Sequence, residues 1–91
     1  MKNKLIKYRS NGIKVIKFNI GNNNYDKTMV YYKNGNPQQE KNYKNGNLNG
    51  NLISYWENGR VHTKGKYQNN HRIGTWKTYD KKGNLVLKEN Y

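Results

Sequence analysis

Tyr31-Tyr32-Lys33-Asn34-Gly35, Tyr55-Trp56-Glu57-Asn58-Gly59 and Tyr79-Asp80-Lys81-Lys82-Gly83 are three copies of one phrase, an aromatic run closing on a turn. The copies stand 24 residues apart. The same step relates Tyr43, Tyr67 and Tyr91, and carries Gly50 onto Gly74. Several positions keeping one period mean stacked copies of a supersecondary unit. The faces of such a stack are built from equivalent positions rather than around one concave pocket. They therefore serve as binding surfaces or spacers more often than as catalysts.

The flanks of the phrase decide its conformation. Asn-Gly pairs at Asn11-Gly12, Asn34-Gly35, Asn45-Gly46 and Asn58-Gly59 supply the positive φ that two-residue hairpin turns require. β-prone runs surround them: Ile13 to Phe18, Thr28 to Tyr32, Leu52 to Trp56, Val61 to Tyr67 and Leu85 to Leu87. No window carries the i, i+3, i+4 apolar stripe of a helix before Gly or Asn interrupts it. The chain is therefore expected to be all-β: an antiparallel meander of about four β-hairpin repeats forming an elongated or curled sheet. Strands are expected near 4–9, 13–18, 27–33, 37–43, 51–56, 61–67, 75–80 and 85–91. The expected organisation is one domain, 1–91, with units 1–26, 27–50, 51–74 and a partial 75–91. The first unit is degenerate, because Gly12 and Gly35 are 23 apart and residues 19–26 read as an altered loop. Its apolar run Ile13, Val15, Ile16, Phe18, Ile20 suits a cap closing over the end of the sheet.

Composition alone points elsewhere. Leu, Ile, Val and Phe make up 16 of 91 residues and the net charge is +13, a combination typical of disordered basic segments. Nine tyrosines and two tryptophans at fixed phase can supply the missing apolar area, and that phase outweighs the composition. Tyr55, Tyr79 and Trp76 are the expected core rings, whereas Tyr32 and Trp56 read equally well as core or as surface. Trp76 and Tyr79 are three apart, so alternation points them to opposite faces. There is no cysteine, hence no disulfide or thiolate metal site. Lys7, Arg9 and Lys14 break every candidate apolar stretch near the start, so neither a signal h-region nor a span is expected and a cytoplasmic protein is the simplest reading.

The units resemble MORN repeats, and more closely the variant found in bacterial YwqK-type antitoxin proteins. That variant reads Gly-x-Trp-x-x-Tyr-x-x-x-Gly followed by a Tyr and another turn. Gly74-Thr75-Trp76-Lys77-Thr78-Tyr79 with Gly83 is the fullest copy; Gly50 to Gly59 matches with Leu52 in place of Trp; Thr28 to Gly35 lacks the leading Gly. The Gly-x-Gly spacing of the more familiar, lipid-associated MORN pattern is missing. The resemblance implies a non-enzymatic interaction module that binds and inhibits another macromolecule by steric occlusion.

Catalytic chemistry has little to draw on. The acids are Asp26, Glu40, Glu57, Asp80 and Glu89, and the histidines His62 and His71 have no carboxylate at ligand spacing. No catalytic residue, metal site or cofactor is expected. Interfaces concentrate energy in aromatic and arginine anchors, which singles out Trp56 and Arg60 around one turn, with Tyr32, Lys64 and Lys66 beside them as candidate partner contacts. Residues 1–25 hold Lys2, Lys4, Lys7, Arg9, Lys14 and Lys17 and no acid, a candidate polyanion site. The bases do not keep the period, since Lys33 becomes Glu57 and Lys41 becomes Gly65. The expected partner is therefore an acidic protein or a nucleic-acid-binding enzyme, ahead of nucleic acid itself and of an anionic membrane surface. Gly59→Val should cost about 1–2 kcal/mol or more by denaturant unfolding, because a β-branched residue resists the turn's positive φ.

Overall fold

A computed structural model describes the backbone of residues 4–10 and 13–20 and the whole of residues 25–91. These residues form eight strands: β1 (Lys4–Ser10), β2 (Ile13–Ile20), β3 (Tyr25–Tyr31), β4 (Pro37–Lys44), β5 (Asn47–Tyr55), β6 (Val61–Gln68), β7 (His71–Tyr79) and β8 (Leu85–Asn90). Each pairs antiparallel with its neighbours in chain order, giving one open sheet from β1 to β8. The all-β meander expected from the period is what forms. β2 pairs with both β1 and β3, so the degenerate first unit continues the sheet as two ordinary strands. The turn at Asn11-Gly12 lies outside the described residues.

Two turn classes alternate along the meander, and the sequence had merged them. At Gly35, Gly59 and Gly83 (φ 92°, 91° and 95°) only the glycine is left-handed. The preceding Asn34 and Asn58 are not, so these are longer loops in which a turn ends on a left-handed glycine, rather than two-residue turns. Gly35 N–H donates to the Tyr32 carbonyl at 3.0 Å, and Gly59 and Gly83 repeat the bond to Trp56 and Asp80 at the same length. The two-residue turns with both positions left-handed are Asn45-Gly46 (51°, 82°) and, 24 residues on, Asn69-Asn70 (47°, 69°). These tight turns let β5 begin at Asn47 and β7 at His71, four residues before the expected starts, and leave no loop between units.

The period also fixes where the pairing is irregular. One extra residue sits on the second strand of each of the last three hairpins, at Gln38, His62 and Val86, whereas β1 and β2 pair without a shift. Between hairpins the register slips by two residues around Gly50 and Gly74, whose φ values of 100° and 67° suit glycine alone.

A single layer has no conventional interior. Tyr55 and Tyr79, expected in the core, are half-buried, and among the described residues Trp76 alone is buried, at 3% exposure. Its indole lies on the bare backbone of Gly65 in the adjacent strand, where an added Cβ would overlap the ring. Tyr67 meets the indole edge-on at 5.2 Å between centroids and Tyr91 at 6.3 Å, and the Arg72 guanidinium stacks 4.4 Å from its centre. The Trp76 Nε1–H donates to the Lys66 carbonyl at 3.2 Å. One unit earlier Leu52 holds the position of Trp76 and pairs with Lys41, the equivalent of Gly65. The larger ring and the missing side chain are thus complementary changes on facing strands. Gly65→Ala should lift Trp76 off the sheet and cost about 2–3 kcal/mol, read as a lowered denaturation midpoint with a red shift of tryptophan emission in the folded protein.

Candidate functional site

The turns ending on Gly35, Gly59 and Gly83 lie along one rim, and side chains of each reach the backbone of the next. Tyr32 Oη–H donates to the Tyr55 carbonyl at 2.7 Å, and 24 residues on the Trp56 Nε1–H donates to the Tyr79 carbonyl at 3.0 Å. Asn34 Nδ2 reaches the Glu57 carbonyl at 3.0 Å, and its equivalent Asn58 Nδ2 reaches the Lys81 carbonyl at 2.8 Å. Asn36 Nδ2 and Arg60 Nη1 add bonds to the Glu57 and Lys82 carbonyls, each 2.8 Å. The third copy differs: Asp80 turns its carboxylate onto the Lys82 and Asn84 backbone N–H groups at 2.9 Å each. Those bonds, that of Asn84 foremost, hold its carboxyl below the usual carboxylate range.

Three of the five candidate partner contacts, Tyr32, Trp56 and Arg60, are therefore members of this ladder. The Trp56 ring is half-buried, packs edge-on against His62 at 4.3 Å, and lies 5.4 Å from the Lys81 ammonium. The sequence left this ring between core and surface; it joins two units. Trp56→Phe keeps the ring but deletes the donor to Tyr79, and should lower stability by about 1 kcal/mol in chemical denaturation.

Lys64 and Lys66, the other two, stand apart from Tyr32 and Arg60, on the sheet face opposite Trp76. Register extends their row. Lys64 faces Lys77 across β6 and β7, and Lys77 faces Lys88 across β7 and β8. Three ammonium groups thus stand on neighbouring strands at directly opposed positions. Like charges so placed destabilise a sheet by a few tenths to about 1 kcal/mol per pair. None of the three faces an acid directly. Glu40 lies on the same face two strands from Lys64, beyond Ile53, and pairs with Lys27 at 3.6 Å. Asp26 lies on β3, Glu89 faces Trp76 on the other side, and Glu57 and Asp80 sit in rim turns. The Lys64 ammonium rests 5.9 Å from the Tyr79 ring centre. Beside this row a groove of about 470 Å³ opens between β5, β6 and β7, lined by Asn51, Ile53, Lys64, Lys66, Ile73 and Thr75 and by the backbone of Gly65 and Gly74.

The amino-terminal cations divide by register. Arg9 lies opposite Lys14, Lys7 opposite Ile16, Lys17 opposite Ile6 and Lys4 opposite Asn19, while Lys2 lies outside the described residues. His62 Nδ1 is within 3.2 Å of both the Ser54 Oγ and the Thr63 Oγ1, and His71 begins β7. Among the described residues no three His, Asp or Glu side chains come together as a metal site would require, and no helix is long and apolar enough to cross a membrane.

Lys77, Lys88, Ile53 and Ile73 were missed in the sequence. Lys88 stands 24 residues after Lys64 and shares its phase, a signal the period already carried; Lys77 falls at a different phase and joins the two only through the strand register.

No curated protein and no solved structure matches the chain. The family model for the MORN repeat variant matches three times, over residues 27–45, 48–69 and 72–91. Each match after the first starts at the strand following a two-residue turn, close to where β5 and β7 begin, so the family's unit and the hairpin geometry coincide. The chain belongs to the MORN repeat variant family.

Proposed function

We propose that this protein is a non-enzymatic interaction module that binds an acidic protein surface with the lysine-bearing face of its sheet and inhibits the bound protein by covering it. MORN repeats commonly mediate protein or membrane interaction, and an open single-layer sheet offers a broad face. The observation that carries the reading is the row Lys64–Lys77–Lys88: like charges held in register with no acid directly opposite them, which an acidic partner would neutralise. The net charge of +13 adds long-range attraction for such a partner. The inhibitory part rests on the resemblance to YwqK-type antitoxins. It fits a target whose acidic face, or whose nucleic-acid-binding site, is closed by occlusion.

The test is binding of a polyglutamate peptide at physiological salt, compared with an oligothymidylate strand and with phosphatidylserine vesicles. Reversing Lys64, Lys77 and Lys88 to Glu should weaken the peptide complex about tenfold or more, as expected from losing three exposed charge contacts of a few tenths to 1 kcal/mol each. Reversing Lys33, Lys44 and Lys82, which changes net charge equally outside the row, should have a much smaller effect. Equal losses from both triple variants would reduce the row to bulk charge. Tighter binding of the oligonucleotide, lost on reversing Lys4, Lys7, Lys14 and Lys17, would move the function to nucleic acid and the amino-terminal unit. Preference for the vesicles would make it a lipid module.

A further inference from the structure

The two inter-unit bulges share a backbone but not a filling. At the first, Asn42 lies over Gly50: an added Cβ on Gly50 would sit 3.4 Å from the Asn42 Cβ. The Asn42 Nδ2 donates to the Asn51 carbonyl at 2.8 Å, so a short amide closes the gap opened by the slipped register. At the second, 24 residues on, the equivalent of Asn42 is Lys66 and that of Gly50 is Gly74. Nothing lies within 4 Å of a Cβ added to Gly74. The exposed lysine leaves the gap unplugged, and it is there that the groove of about 470 Å³ opens.

The chemistry of this groove is split. Its walls include Ile53 and Ile73, the latter 37% exposed, and the Thr75 position, whereas its rim carries Lys64 and Lys66. On the same face the row continues to Lys77 and Lys88. The protein's tryptophans are turned away or engaged, Trp76 buried on the opposite face and Trp56 bonded into the rim ladder. A site that selected nucleic-acid bases would be lined by stacking rings; this groove is lined by aliphatic walls between cations, with the Tyr79 ring outside it beside Lys64.

We infer that the open bulge at Gly74 is a side-chain pocket for an extended acidic segment of a partner protein. One aliphatic side chain of the segment enters between Ile53 and Ile73, and carboxylates flanking it meet Lys64 and Lys66. This rests on the acidic-partner reading above and narrows it from an acidic surface to an acidic segment bearing an apolar anchor. Charge complementarity brings the segment to the face, and removal of the anchor from water makes binding selective.

The experiment compares two short labelled peptides by fluorescence anisotropy at physiological salt, one alternating glutamate with leucine and one alternating glutamate with serine. Against the unaltered protein the leucine peptide should bind at least about fivefold more tightly. Lys66→Asn, which supplies the plug that Asn42 provides one unit earlier, should abolish that preference. Lys82→Asn removes the same charge in a rim turn and should preserve it. Ile73→Ser, at an exposed position and therefore compatible with folding, should also abolish the preference while leaving the serine peptide bound as before. Equal affinity of the unaltered protein for both peptides overturns the pocket while the acidic-partner reading stands. Failure to bind either peptide overturns both. A leucine preference surviving both Lys66→Asn and Ile73→Ser overturns the placement at Gly74.

Discussion

The contact of Trp76 with the backbone of Gly65 is the constraint on which this sheet depends. A single layer of strands offers each side chain neighbours on one side at best, so burial must be made by laying a large ring flat along the sheet rather than by stacking a second layer. An indole can do this only where the strand beneath has no side chain. Tyr67, Tyr91 and Arg72 then close around the ring, drawing β6, β7 and the end of the chain into one cluster. Elsewhere the sheet is held by its backbone ladder and half-buried side chains, which is why a chain so poor in aliphatic residues can fold.

That economy decides where function can reside. With one face committed around Trp76 and one rim committed to inter-unit hydrogen bonds, the face bearing Lys64, Lys77 and Lys88 has the fewest structural obligations. The bulge at Gly74 interrupts the same face. The cation row and the groove are consequences of the hairpin register, and both lie within the span matched by the family model.

Much of the fold was legible because it repeats. The 24-residue phase of tyrosines and glycines located the three hairpins from β3 to β8, the Asn11-Gly12 pair pointed to the first, and the odd spacing between Trp76 and Tyr79 put those rings on opposite faces. Less legible was what depends on a glycine's particular conformation. Asn34-Gly35 and Asn45-Gly46 read alike, yet one has a single left-handed residue and the other two. Asn69-Asn70 carries the tight turn without any glycine. The change from Lys41 to Gly65 read only as a base that fails to keep the period, because its counterpart, the exchange of Leu52 for Trp76 across the strand pair, is visible only once the strands are registered. The site was less legible still. Lys64 and Lys66 were singled out; Lys88 repeats Lys64 one period on, but Lys77 and the isoleucines joined them only through strand pairing.

The rim ladder has an evolutionary corollary. Its acceptors are carbonyls of the main chain, which every residue possesses, so a donor such as Tyr32 or Trp56 makes no demand on the identity of the residue it meets. Along this rim neighbouring copies are therefore compatible without having to change in concert, unlike Gly65 and Trp76 on the sheet face. Gain or loss of a whole 24-residue copy would present each surviving donor with an equivalent acceptor. The rim thus sets no limit of its own on the number of copies, and leaves each copy's exposed face free to differ from the next.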